Sequence, residues 1–209
     1  MGKNLLLIGG GGHCSSVLSS VLANNYYDEV GIIDFTNTPV MGISVVGRDE
    51  DLPNLKKSGW TDAFITVGSI GNTGLRRRLY QMIKELGFIV PVITDPSAVV
   101  AQDVKIGEGC FVGKGVILNS GTEIGECAII NTGAVIEHDC KIGAFAHISP
   151  GTVLCGRVKV GNDSHVGAGS VVRQQITIGN ETLIGMGSVV VQNIPDQVKA
   201  FGNPCKVVE

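Results

Sequence analysis

The sequence predicts a two-domain chain: a small α/β unit over residues 1–91, then a parallel β-helix with a closing tail over 92–209. Three observations carry this. Aliphatic residues return every six positions from Val100 to Val190 without a break in phase. Ahead of that repeat, short apolar runs alternate with amphipathic helical stretches. Glycine is abundant (30 of 209 residues) while aromatic residues are only 5%, a balance suited to many tight turns and thin apolar layers.

The elements follow in order. Leu5-Leu6-Leu7-Ile8 is a continuous apolar run, as expected of a strand buried on both faces. Gly9 to Gly12 forms a glycine loop, and Cys14 to Ala23 places Val17, Val21 and Leu22 on one helical face. Val30 to Ile33 reads as a second strand ending at Asp34, and Ala63 to Val67 as a later one closing on Gly68. Leu75 to Leu86 reads as a helix with Arg76, Arg77, Arg78, Lys84 and Glu85 on its wet side. Strand, helix, strand is the βαβ pattern of a Rossmann-like sheet.

The glycine loop is a candidate phosphate cradle, since backbone N–H groups at a helix N-terminus face an anion well. Its match to G-x-G-x-x-G is partial: Gly9 and Gly11 fit, but Cys14 stands where the third glycine belongs. A tight turn is the other reading. Asp34 ends a strand where an acid can hold a ribose or a base. Gly68 closes another strand at the same sheet edge, with Asn72 in the loop beyond it. A complete NAD site does not fit, because this half is too short for two mononucleotide units.

In the second half, all sixteen positions from Val100 to Val190 in steps of six are Ile, Val or Leu. Four residues after each, the side chain is usually small, as at Cys110, Thr122, Ala128, Ala134, Cys140 and Ala146. This is the hexapeptide repeat of a parallel β-helix, with three short strands per coil of about 18 residues. The aliphatic residue points inward and stacks on its equivalent about 4.8 Å away in the next coil. A β-sandwich would space its strands irregularly.

Three histidines lie outside the inward aliphatic slot, at turns or outer surfaces where packing does not call for them. His165 is 18 residues past His147, hence one coil above it on the same face. His138 sits in Glu137-His138-Asp139, and a carboxylate beside an imidazole can fix its tautomer and raise its basicity. An exposed histidine of no consequence is the other reading for each.

Net charge is −3, with no basic patch, so nucleic acid and anionic membrane are not expected partners. No stretch approaches the roughly 18 apolar residues of a membrane span, and the first apolar run is too short for a signal peptide. The expected location is cytoplasmic. The six cysteines include no C-x-x-C pair and are expected to be reduced thiols, with Cys110 and Cys140 in the core. No metal site is expected.

Residues 100–190 resemble the hexapeptide-repeat acyltransferases. The segment INTGAVIEHDCKIGAFAHISPG is similar to that of bacterial sugar acetyltransferases of the sialic acid O-acetyltransferase and UDP-amino-sugar N-acetyltransferase type. LLLIGGGGH followed by GIIDF resembles that family's nucleotide-sugar domain, and NIPDQVKAFGNPCKVV its closing segment, with Cys205 where relatives usually carry Ala. The resemblance implies a left-handed β-helix, a homotrimer, and acetyl-CoA as co-substrate in the groove between neighbouring helices. It implies His138 as general base with Asp139 in support (often Glu in relatives). It implies His147 at the acetyl-CoA, with Gly167, Ala168, Gly185 and Met186 along the cofactor. Gly10, Gly11, Gly12, His13 and Asp34, with Gly68 and Asn72, would hold the nucleotide-sugar.

The implied activity is acetyl-CoA-dependent N-acetylation of a nucleotide-linked amino-sugar, with a UDP-4-amino-4,6-dideoxy sugar expected, in surface glycan or glycoprotein biosynthesis. O-acetylation of a sialic acid or related sugar is the alternative. A non-catalytic trimeric scaffold needs neither the Glu-His-Asp cluster nor the glycine loop. A β-helix carbonic anhydrase would need three zinc histidines, and His138 is out of phase with the other two.

Overall fold

The computed structural model describes residues 3–208; Met1, Gly2 and Glu209, at the outer limits of the two expected domains, lie outside them. The chain divides into two compact units. One runs up to Gly68 and includes Gly74–Ile93; the other joins Ser69–Thr73 to the chain from Thr94 onward.

The first unit is a four-stranded parallel sheet in the order β3-β2-β1-β4. Its elements are β1 (Asn4–Ile8), α1 (Gly12–Asn24), β2 (Glu29–Ile33), β3 (Val45–Gly47), α2 (Leu52–Lys57), β4 (Asp62–Ile65) and α3 (Gly74–Glu85). Leu5, Leu6 and Leu7 are wholly buried because β1 is central, paired with β2 on one side and β4 on the other. The strand order therefore reverses at the carboxyl end of β1, the crevice where open α/β sheets bind ligands. The glycine loop leaves β1 at this point.

Two elements have no counterpart among the expected ones: β3 and α2. The start of α2 is nonetheless signalled by three acids, Asp49 to Asp51, ahead of Pro53 in its first turn. One expectation is corrected. Arg76 is not on the wet side of α3 but 2% exposed, because positions 76, 79 and 83 share the stripe that also buries Leu79 and Ile83.

The second unit is a parallel β-helix of two-residue strands in three sheets. One face runs through Val99–Val100, Ile117–Leu118 and on to Val189–Val190; another from Lys105–Ile106 to Thr177–Ile178; the third includes Phe111–Val112, Ile129–Ile130, His147–Ile148, His165–Val166 and Leu183–Ile184. Register steps by 18 residues, as in Ile130 to Ile148 to Val166. Each repeat aliphatic is the inward member of its strand, and from Val112 to Val190 none exceeds 4% exposure. Burying such a side chain contributes about 1.5–3 kcal/mol. After Val190 the phase ends: Ile194 bridges Ile178 and Ala200 pairs with Ile184, so the last coil is two residues short.

The small inward residues are polar where the coil offers a partner. Ser164 Oγ donates to the Gly179 carbonyl at 2.6 Å, Ser170 to Gly185 at 3.1 Å, and Thr152 to Gly167 at 3.2 Å. Cys110 Sγ and Cys140 Sγ make the same bond, to Gly125 and Cys155. Each step spans 15 residues, so these hydroxyls and thiols find their partners inside the core. The glycines that follow the aliphatics mark close approach between coils: a Cβ at Gly143 would lie 2.5 Å from the backbone nitrogen of Asn162. Among the described residues no helix is long and apolar enough to cross a membrane.

Candidate active site

His138 and Asp139 form the central residues of a turn on the β-helix, with Asp139 in the left-handed region at φ +59°. Aspartate tolerates that conformation better than most side chains. His138 Nδ1–H donates to Asp139 Oδ2 at 2.9 Å, which leaves Nε2 as the ring's acceptor. Both side chains are about half exposed. The hydrogen bond from His138, opposed by slight desolvation and helped by Arg157 at 3.5 Å, holds the Asp139 carboxyl below the usual carboxylate range. The acid therefore stays ionised and keeps its grip on Nδ1–H.

The pair is seated on two glycines. A Cβ at Gly156, one coil on from His138, would lie 2.5 Å from its Nε2 and 2.7 Å from Cε1. A Cβ at Gly121, one coil before Asp139, would lie 2.6 Å from Asp139 Oδ1. Any larger residue at either place would displace the acid–imidazole pair.

His147 is held by a different set of contacts. Asn131 Oδ1 accepts the Thr132 backbone N–H at 2.8 Å, so its amide nitrogen is the group that faces His147 Nε2 at 3.3 Å. Nε2 must then accept, and the ring proton sits on Nδ1, which donates to the Ser69 carbonyl at 3.1 Å. The network specifies a neutral imidazole of one tautomer. Ser69 belongs to the short segment Ser69–Thr73 that packs with the β-helix unit, where Thr73 also donates its hydroxyl to Asp163.

His165 differs from the expectation of an outer-surface histidine. It is 8% exposed, edge-on to His147 with ring centroids 4.8 Å apart and planes at 89°. Its Nε2 lies 3.2 Å from Ser149 Oγ, and Nδ1 is buried with no hydrogen-bond partner among the described residues. Burial pushes its pKa down from the ordinary histidine value. Its strand partners in the coils before and after are His147 and Leu183.

Along the cofactor residues expected from the resemblance, Gly167 and Gly185 donate to the next coil's carbonyls, Ile184 and Ala200. Ala168 and Met186 lie one coil apart at an exposed corner, with Met186 82% exposed. Their backbone N–H groups meet no protein acceptor among the described residues. At another corner the Asn162, Asn180 and Asp196 side chains occupy the equivalent N–H groups.

In the first unit, Gly9 has φ +106° and a Cβ there would lie 2.6 Å from Val67, so the first loop position requires glycine. Gly10 N–H donates to Asp34 Oδ2 at 2.6 Å, and Asp34 Oδ1 accepts the Thr36 N–H and hydroxyl at 2.8 Å each. Partial burial opposes ionisation of Asp34, but these donors together outweigh it and hold the carboxyl below its ordinary range. Gly11 caps α1 without a side-chain partner, leaving the helix N-terminus open next to Gly12 and His13. Cys14, in the third-glycine position, is instead buried on the inner face of α1. Gly68 lies beside His13: a Cβ placed on this glycine would be 3.8 Å from the His13 Cβ, an ordinary contact. Asn72 falls in the other unit, with Ser69–Thr73. A cavity of about 540 Å³, floored by Ile8, Ile33 and Val67, opens at this sheet edge.

Asn131, Ser149, Gly156 and Arg157 are site residues that the sequence alone did not single out. Gly156 and Arg157 lie 18 residues past His138 and Asp139, so counting one coil would have found them.

Comparisons with known proteins agree with this architecture. Residues 4–83 match the PglD N-terminal domain, residues 121–156 the bacterial transferase hexapeptide of six repeats, and residues 103–138 the hexapeptide repeat of succinyl-transferase. Together with the coils described above, these matches define a Rossmann-like domain joined to a left-handed β-helix of transferase type. A search of curated proteins finds no match. Among solved structures, a perosamine N-acetyltransferase from Caulobacter crescentus, a variant with one histidine replaced by asparagine, is bound to CoA and GDP-perosamine. It superposes with a TM-score of 0.94 at 39% identity, covering 99% of this chain and 97% of that one. The acetyltransferase domain of PglB from Neisseria gonorrhoeae, bound to acetyl coenzyme A, gives 0.94 at 35% identity over 100% of both chains. WeeI from Acinetobacter baumannii shares the fold, with a TM-score of 0.88 at 23% identity over 99% of this chain and 100% of that one. The chain belongs to the family of sugar N-acetyltransferases that couple a PglD-type N-terminal domain to a left-handed β-helix of hexapeptide repeats.

Proposed function

We propose that this chain transfers the acetyl group of acetyl-CoA to the amino group of a nucleotide-linked amino-sugar, with His138 as general base. The observation that carries the assignment is the His138–Asp139 pair. Nδ1–H is tied to an ionised carboxylate and Nε2 is left as an acceptor on an exposed turn. As the sugar amine attacks the thioester carbon, Nε2 takes one of its protons. A C–N bond forms, the C–S bond breaks, and the CoA sulfur leaves as a thiolate that the proton can neutralise. Asp139 stabilises the imidazolium formed in between. Holding both reactants in a fixed orientation supplies the remaining advantage.

Cys140 takes no part as a nucleophile. Burial pushes its thiol up to about 11, and its Sγ is occupied by the Cys155 carbonyl. A protonated, buried thiol does not form an acyl-enzyme. The free N–H groups of Ala168 and Met186 suit the carbonyls of pantetheine, beside Gly167 and Gly185, and neutral His147 suits a contact with the acetyl end. The glycine loop, His13, Asp34 and Gly68 would serve the nucleotide-sugar at the sheet edge.

A homotrimer completes the reading. The face through Val99, Ile117, Val135, Val153, Val171 and Val189 presents one β-branched aliphatic outward per coil, and Val99, Ile117 and Val171 are exposed by 64%, 37% and 40%. Such a ladder is costly in water and suits burial against a second copy. The substrates, acetyl-CoA and a nucleotide-sugar, are cytoplasmic metabolites, which supports a cytoplasmic enzyme.

The test is thiol release from acetyl-CoA with UDP- and GDP-linked 4-amino-sugars and free sialic acids, with wild type and His138→Ala. Release with an amino-sugar, lost in the variant, is expected. Release only with sialic acid would replace N- by O-acetylation, and silence without acetyl-CoA binding would leave a scaffold.

A further inference from the structure

His147 is half-buried, so part of its ring can be reached by a ligand. Both ring nitrogens are engaged, Nε2 by the Asn131 amide and Nδ1 by the Ser69 carbonyl. What the ring can present to an acetyl group is therefore its carbon edge and its face. Hydrogen bonds at the two nitrogens lie near the ring plane. They fix where the ring sits and leave it free to rock out of that plane. The restraint across the plane comes from His165, whose ring meets it at 89° with centroids 4.8 Å apart. That is edge-to-face packing.

A phenyl ring at position 165 would give the same packing with no polar atom to bury. The imidazole instead buries Nδ1 without a hydrogen-bond partner among the described residues. An orphaned N–H is a rarer defect in protein interiors than an orphaned acceptor, which puts the proton on Nε2. Nε2–H then donates to Ser149 Oγ at 3.2 Å. Ser149 is itself 4% exposed, and its backbone N–H is tied to the Val166 carbonyl at 3.0 Å, so the acceptor is held in place. A phenyl ring can turn about its Cβ–Cγ bond, whereas an imidazole anchored at Nε2 cannot. The orphaned nitrogen is thus the consequence of an anchor that holds the ring edge-on to His147.

Resting on the placement of His147 at the acetyl end of acetyl-CoA, we infer that His165 and Ser149 are positioning residues of the transferase. Both are buried, so neither reaches the cofactor itself. The Ser149–His165 hydrogen bond sets the tilt of the His165 ring, and His165 sets the tilt of His147 against the acetyl group. The pair therefore acts on the acetyl group and not on the rest of CoA.

Calorimetric titration of the full chain with acetyl-CoA and with CoA tests this, because a role confined to holding the coils together would weaken both ligands alike. Wild type is expected to prefer acetyl-CoA. Ser149→Ala and His165→Phe both remove the anchor and keep most of the volume. Each is expected to lower acetyl-CoA affinity roughly threefold to tenfold, the effect of one hydrogen bond, with CoA affinity unchanged. Either variant suffices if the other does not fold. The double variant should lose no more than either alone, since both changes delete one interaction. Single variants that keep the wild-type preference, that weaken CoA equally, or whose losses add in the double variant overturn the inference. His147→Ala separates the two readings. If it lowers the preference for acetyl-CoA while the Ser149 and His165 variants do not, the inference alone falls. If it leaves the preference intact, the placement of His147 falls and the inference with it. A chain that binds neither ligand would remove the transferase reading itself.

Discussion

Gly156→Ala isolates the role of His138 without touching His138. The new methyl group would sit 2.5 Å from Nε2, 2.7 Å from Cε1 and 3.1 Å from Cδ2. Gly156 does not have a left-handed φ, so alanine is tolerated by the backbone there. The ring is 56% exposed and can swing outward, so stability should change little. To restore ordinary contact the imidazole must retreat by about 1 Å, and a displacement of that size at a reacting group costs on the order of 100-fold. That equals about 2.7 kcal/mol in activation free energy. Steady-state assays should show kcat down by about that factor, within the 10²–10⁴ that a general base contributes. KM for acetyl-CoA should hold, and so should the melting temperature. An alanine enzyme with wild-type kcat would mean that the ring does not work from its seat over Gly156, and the assignment of Nε2 as the base would fall with it.

Three further outcomes are expected. Burial keeps the His165 pKa below its ordinary value, so the unfolded chain takes up a proton first as the pH falls. The stability this contributes is full above about pH 6.5 and is lost as the pH drops from there through the folded-state value. Urea unfolding at pH 7.5 and 5.5 should therefore show a larger acid loss for wild type than for His165→Phe, and equal losses would contradict it. Gly143→Ala forces a Cβ to 2.5 Å from the Asn162 backbone nitrogen, which cannot swing aside. Overpacking of this kind costs about 1–3 kcal/mol, or roughly 2–12 °C in a thermal melt for a chain of this size; an unchanged melt would refute the close stacking of coils. Cys140→Ala should keep kcat within a few-fold while losing one buried hydrogen bond, worth about 1 kcal/mol of stability. A folded Cys140→Ala protein without acetyl transfer would show that the thiol is a nucleophile after all.

The β-helix was legible because its physics is periodic. A residue that must point inward once per strand leaves a mark every six positions, and sixteen such marks fix phase, face and coil length. The α/β unit was legible at its buried strands and at Gly9, where a positive φ and a close approach exclude other residues. It was not legible between residues 35 and 61, where β3 and α2 are short and carry too few apolar residues to show a period. Arg76 was misread because a charged residue flanked by Arg77 and Arg78 looks wet by type, and only its stripe position beside Leu79 and Ile83 says otherwise.

The same distinction runs through the candidate site. A coil turns 18 residues of sequence into neighbouring positions, so contacts at that offset can be counted from the sequence: His138 with Gly156, Asp139 with Gly121 and Arg157, His147 with His165. The contacts that set protonation do not share the offset. Asn131 reaches His147 and Ser149 reaches His165 across 16 residues, along one face of the helix, while Ser69 reaches His147 across 78. Those depend on how side chains lean between coils and on where a segment from outside the repeat comes to rest. The repeat thus builds a scaffold that the sequence declares openly, while the hydrogen bonds that choose a tautomer come from residues with no repeat reason to be there. Asn131 illustrates this: its amide is oriented by the Thr132 N–H, and through that orientation it decides which nitrogen of His147 carries the proton.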